Sequence, residues 1–197
     1  MSRESILAAL RQSEPPDPGL PEIEGRWQHF DDRATRFAAA LEGAGGRCIR
    51  VPARPRIAAE LQGLEAFRQA RRRASVVDGL GDPNVSLGDL DDPRRLADVG
   101  FALLPGSLAV AESGAVWVDA SDYLHRAVLF LPEHLGLVVR VPDLVDTLHQ
   151  AYERIRFEGV GFGCFLAGPS KTADIEQALV IGAHGARSVT VFLVGRS

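Results

Sequence analysis

Hydrophobic positions along this chain recur in two rhythms. Ile6, Leu7 and Leu10 share one face of a short helix over residues 2–12. Trp27, Phe30, Ala34, Phe37, Ala38 and Leu41 recur at helical spacing and predict a strongly amphipathic helix, which stops at the glycine-rich Gly43-Ala44-Gly45-Gly46. Between the two, Glu14-Pro15-Pro16-Asp17-Pro18-Gly19-Leu20-Pro21 excludes regular structure and reads as an extended linker. Beyond residue 46 the rhythm changes to short apolar runs. These predict strands at 47–51, 74–78, 99–104, 107–111, 115–118, 136–141, 161–167 and 188–194. Helices are predicted from about Pro55 to Arg72, from Pro142-Asp143 to Ile155, and from Ser170 to Ile181, with a polar loop over 79–95.

Strands alternating with helices, several of them apolar on both faces, predict an α/β fold: three α/β/α layers around a mostly parallel sheet. Residues 1–45 are expected to form an N-terminal helical appendage with its proline-rich linker, and residues 46–197 the α/β domain. Composition adds limits. Hydrophobic residues are 46% of the 197, enough for a real core, and the formal charge is −4 with a pI near 5.7. That balance argues against a nucleic-acid or anionic-membrane partner, and no apolar run is long enough to span a bilayer. The basic run Arg71-Arg72-Arg73 reads as a helix end complementing the macrodipole. The two cysteines, Cys48 and Cys164, form no CxxC pair and cannot supply the four thiolates of an ordinary iron–sulfur cluster. The five histidines show no metal-ligand spacing, so no metal is expected on this chain, and a cytoplasmic protein with reduced, buried thiols is expected.

Three stretches carry candidate chemistry. Gly168-Pro169-Ser170-Lys171-Thr172-Ala173-Asp174-Ile175-Glu176 follows a predicted strand and opens a predicted helix. There Gly168, Ser170, Lys171, Thr172 and Asp174 are candidate ligand residues. Free N–H groups and the dipole at a helix start can hold a phosphate or carboxylate, with Lys171 adding charge. The same residues also suit a plain helix cap, since Asp174 and Glu176 complement the dipole themselves. The spacing is not that of a phosphate-binding Walker loop. A helix over 170–181 is roughly 18 Å long at 1.5 Å per residue, which puts His184 and Arg187 at the opposite sheet edge in a structural or interface role. Glu112, in an apolar neighbourhood before a Ser113-Gly114 turn, is either a turn cap or a catalytic acid–base candidate.

GPSKTADIE followed by Gly182-Ala183-His184-Gly185-Ala186-Arg187 resembles the signature of the LUD-domain family, lactate-utilisation protein C type: GPS-x-T-x-DIE, then G-x-HGPR. The upstream AESGAVWV and LFLPEHLGLVV resemble two further segments of that family, in the same order. Ser113 stands where the family usually has Thr, and Ala186 where it usually has Pro. The resemblance implies a fold like that of glucosamine-6-phosphate deaminase, ribose-5-phosphate isomerase and the CoA transferases. It also implies an accessory role in oxidising L-lactate to pyruvate alongside partner proteins, with the iron–sulfur clusters on the partners and no cofactor on this chain. The alternative is a self-sufficient enzyme of the isomerase or CoA-transferase class acting on a phosphorylated or CoA-linked substrate, with Glu112 as base and the Ser170 corner as anion site.

Overall fold

The computed structural model describes residues 3–12, 25, 27–121, 123, 125–156, 161–173 and 179–195; the proline-rich linker, Asp174 and Glu176 lie outside them. In chain order the elements are α1 (Arg3–Gln12), α2 (Arg33–Gly43), β1 (Arg47–Val51), α3 (Arg56–Gly63), α4 (Glu65–Gln69), β2 (Arg73–Ser75), β3 (Phe101–Pro105), β4 (Leu108–Val110) and β5 (Ala115–Asp119). Then follow β6 (His134–Arg140), β7 (Leu144–Val145), α5 (Leu148–Arg154), β8 (Gly163–Leu166), β9 (Lys171–Thr172), β10 (Val180–Ile181) and β11 (Ser188–Val194).

The central sheet has the order β1-β11-β6-β3-β2, and every pairing in it is parallel. Period-two alternation sends successive side chains to opposite faces. Phe101, Leu103, Phe192 and Val51 pack with Ile57, Leu61 and Phe67 of α3 and α4 on one face. Ala102, Leu104, Leu137, Val139, Val191 and Leu193 pack on the other, where Phe37 and Leu41 of α2 meet them. Strands buried on both faces must be apolar throughout, which is why β6 and β11 read as solid apolar runs.

A second sheet, of order β7-β4-β5-β8, lies on the α2 side. The Ser113-Gly114 turn joins β4 and β5 as an antiparallel hairpin, and β8 adds antiparallel to β5. Strands joined by so short a turn cannot be parallel, so β4 and β5 pair antiparallel, and they do so outside the central sheet. Gly114 has φ +68°, and a Cβ there would stand 2.3 Å from the Leu41 nitrogen, so the hairpin tip seats directly on α2.

Four predicted helices differ from the structure. The amphipathic helix begins at Arg33 rather than near Trp27, because Asp32 caps it by accepting the Thr35 N–H at 2.8 Å. The helix over 55–72 is split at Leu64, whose ψ of 122° is extended. Pro142-Asp143 opens a 3-10 turn, and Leu144–Val145 pairs with β4 before α5 starts at Leu148. The helix from Ser170 to Ile181 is not formed at either end: Thr172 pairs with Val180 and Lys171 with Ile181 as antiparallel strands.

Because Phe37 and Leu41 sit in the core, deleting residues 1–22 is expected to leave a cooperatively folded protein. Deleting 1–45 uncovers the sheet face and should cause aggregation. Equal solubility of the two truncations in a sedimentation assay would refute this packing role.

Candidate functional site

Strand β8 delivers the Gly168 corner to the amino-terminal edge of the central sheet. Gly168 has φ +73°, and a Cβ on it would stand 2.7 Å from the Ala44 carbonyl oxygen, just upstream of β1. Ser170 donates its N–H to the Ala186 carbonyl at 2.9 Å, and Gly182 donates to the Ser170 carbonyl at 2.9 Å. The two glycine-rich clusters are thus clamped together. Ser170, His184 and Gly185 line one cavity of about 180 Å³, floored by Leu129, Leu135 and Val189. This corrects the expectation that His184 lies a helix length from Ser170: Lys171–Thr172 and Val180–Ile181 pair antiparallel as β9 and β10, which brings the two ends of the stretch side by side. The Ser170 N–H is also spent on Ala186, so it is not one of the free donors of a helix start. Lys171 is exposed, Thr172 half-buried.

Arg187 reaches the Glu133 carboxylate at 2.7 Å while its N–H donates to the Glu133 carbonyl at 2.8 Å. It braces the loop that enters β6. Nearby, His134 Nδ1 lies 2.7 Å from Ser188 Oγ, and burial draws the imidazole pKa below its ordinary value.

Glu112 has a capping geometry. Its Oε1 accepts the Leu148 N–H at 2.6 Å, at the first turn of α5, and its carbonyl accepts from Arg36 Nη2 at 3.1 Å. A carboxylate there satisfies one of the helix's unpaired donors and complements its dipole.

Two features have no sequence signal. The first is Asp146, which sits in a run that reads as helix yet has no exposed surface. Arg33 grips it with Nε on Oδ1 at 2.9 Å and Nη2 on Oδ2 at 2.8 Å; the Phe30 N–H adds 3.0 Å and His29 Nδ1 2.9 Å. The Arg33 side chain is the main reason that the Asp146 carboxyl is held well below the usual carboxylate range. The second lies at the opposite, carboxyl-terminal edge of the sheet, just past the ends of β3 and β6. There a cavity of about 250 Å³ is lined by Ser107, Trp117, Asp119, Asp143, Arg154 and Arg156 among others.

Burial pushes the Cys48 thiol up to about 11 and raises that of Cys164 as well, so both are protonated near neutrality. Among the described residues no group of three or more His, Cys, Asp or Glu is placed to hold a metal ion.

The fold defines an α/β protein similar to a solved DUF162 family protein from Deinococcus radiodurans. The likeness has a TM-score of 0.59 at 21% identity and covers 83% of this chain and 99% of that one. Residues 91–194 match the LUD domain. The chain is 33% identical over 178 residues to Lactate utilization protein C of Deinococcus radiodurans, covering 84% of this chain and 78% of that protein. It is 31% identical over 177 residues to the protein of that name from Geobacillus kaustophilus, covering 72% of the relative. The match to the one from Shouchella clausii is 38% over 122 residues and spans 52% of that protein's length. The chain belongs to the LUD domain family.

Replacing Asp146 with Ala leaves Arg33 without its anion and frees Phe30 N–H, and should cost about 3–5 kcal/mol. His29 is 67% exposed, so His29→Gln should cost under about 1 kcal/mol. Both are readable as shifts of the urea midpoint at constant slope. The pH sign follows from the lowered pKa. Stability from Asp146 is complete above its ordinary value of 3.8 and is lost as acid approaches the lower folded value, so Asp146→Ala should have a flatter acid limb. Equal costs for the two variants would show that Asp146 is not the anchor.

Proposed function

We propose that this chain is an accessory subunit of a cytoplasmic system that oxidises L-lactate to pyruvate, with the iron–sulfur chemistry on partner proteins. The observation that carries the reading is the alignment across 178 residues with a relative named Lactate utilization protein C, inside a LUD domain family match. The residues support a chain without its own redox centre. Two half-buried, protonated thiols far apart in sequence are poor material for a cluster that takes four thiolates. Among the described residues no helix is long and apolar enough to cross a membrane. The rival reading, an independent isomerase- or transferase-like enzyme with Glu112 as base, has to contend with a carboxylate already engaged by the Leu148 N–H.

Disrupting the gene is expected to abolish growth on L-lactate as sole carbon source while leaving growth on pyruvate intact. The purified chain should be colourless and free of stoichiometric iron. Normal growth on lactate, or a cluster spectrum after anaerobic reconstitution of the lone chain, overturns the proposal.

A further inference from the structure

In open α/β sheets, ligands bind outside the carboxyl ends of the strands. The Gly168 corner is at the other end. At the carboxyl edge stands the cavity of about 250 Å³, with Ser107 beyond the end of β3 and Asp143 beyond the end of β6. Its charges are unevenly committed. Asp143 is taken by Arg140 in a two-pronged ion pair, Nε to Oδ2 at 2.6 Å and Nη2 to Oδ1 at 2.9 Å. Arg154 and Arg156 have no carboxylate partner among the described residues, although both line the cavity. Arg154 closes α5, where a cation also complements the helix dipole. Arg156 lies beyond the helix and has no such role. Asp119 is half-buried, and among the described residues only its Oδ1 is engaged, by the Ser121 N–H at 2.9 Å and the Ser121 hydroxyl. Its Oδ2 remains able to accept a hydrogen bond. Leu108, Trp117 and Ile155 give the cavity an apolar wall.

We infer that this cavity is a binding site for a small 2-hydroxy carboxylate: Arg154 and Arg156 take the carboxylate, Asp119 Oδ2 accepts the adjacent hydroxyl, and the apolar wall meets a short alkyl group. The chemistry selects this class for three reasons. A guanidinium fork matches a carboxylate in shape and charge. A carboxylate acceptor beside the arginines needs a ligand O–H to offset its repulsion of the ligand's own anion, which a 2-oxo acid cannot offer. The volume admits a molecule of a few heavy atoms with some water, not a nucleotide or an acyl-CoA. The choice of L-lactate as probe rests on the function proposed above; the location and the hydroxyl requirement rest on the cavity alone.

The test is calorimetric titration of the full chain with L-lactate, pyruvate and inorganic phosphate. L-lactate should bind at least about ten-fold more tightly than pyruvate or phosphate. Arg154→Gln/Arg156→Gln should weaken L-lactate at least about ten-fold, and Asp119→Asn should reduce the preference for lactate over pyruvate to near unity. Both arginines are exposed, so the double variant should keep the wild-type melting temperature. Ser170→Ala/Thr172→Ala, at the other edge, should bind as wild type does. The inference falls if no L-lactate binding is detected, if pyruvate binds as tightly, or if affinity responds to the Ser170/Thr172 pair rather than to the arginines. Failure of titration with a retained lactate-growth phenotype sinks the site and leaves the functional reading standing. Intact binding with normal growth on lactate does the reverse.

Discussion

A carboxylate removed from water must be fully paired, and Asp146 is the residue on which that demand falls. Its side chain takes Arg33, Phe30 and His29 from the segment that leads into α2. Its main chain binds elsewhere: the carbonyl accepts the Glu112 N–H at 3.0 Å, and the N–H goes to Gln150 Oε1 at 2.9 Å. One residue therefore fixes the entry to α2, the β4–β5 turn and the start of α5. Packing alone would not set their register so sharply, because apolar contact is non-directional whereas a two-pronged guanidinium pair tolerates little displacement.

With the β4–β5 hairpin pinned on α2, the second sheet has a fixed direction, and so has β8, which pairs with β5. That direction carries Ala167 to the amino edge of the central sheet and leaves Asp119, at the far end of β5, near the carboxyl edge. The two edges are then finished differently. At the amino edge, Ser170, Gly182 and Ala186 spend their backbone groups on one another, and Arg187 is spent on Glu133. Such closure suits a structural seam that joins the second sheet to β6 and β11. At the carboxyl edge, Arg154 and Arg156 have no carboxylate partner among the described residues around the cavity, the arrangement expected where a ligand is to supply an anion.

The sequence was most legible where burial on both faces leaves one choice of composition. The bounds of β1 and β11 agree with the alternation and glycine signals, and the ends of β3, β5 and β6 fall within two residues of the predicted ones. Which sheet a strand joins is not a local property. The runs at 107–111, 115–118 and 161–167 look like any apolar strand, and only the Ser113-Gly114 turn hints that the first two pair antiparallel. The polar corner was misread for a related reason. Ser170, Thr172, Asp174 and Glu176 have the composition of a helix start, but Ser170, Lys171 and Thr172 find partners in a segment 8 to 16 residues downstream. Asp146 was invisible because its partners are 113 to 117 residues away. The cavity arginines escaped notice because Arg154, on its own helix, reads as an ordinary C-terminal cation.

The anchor and the proposed binding cavity share one short piece of chain. Arg140 to Asp146 leaves β6, turns as a 3-10 segment, pairs briefly as β7 and ends in the buried carboxylate. Asp143 faces the carboxyl-edge cavity, while Val141, Pro142 and Leu144 line a separate hollow of about 430 Å³ together with His29, Phe30 and Arg33. Asp143, one wall residue of the cavity, stands three residues before the buried carboxylate, so this short segment links the cavity to the anchor. A ligand that binds only the folded form adds its binding free energy to stability by mass action. Asp143, held by Arg140, and Asp146, held by Arg33, pin this segment at two points: the first just past the end of β6, the second just before α5.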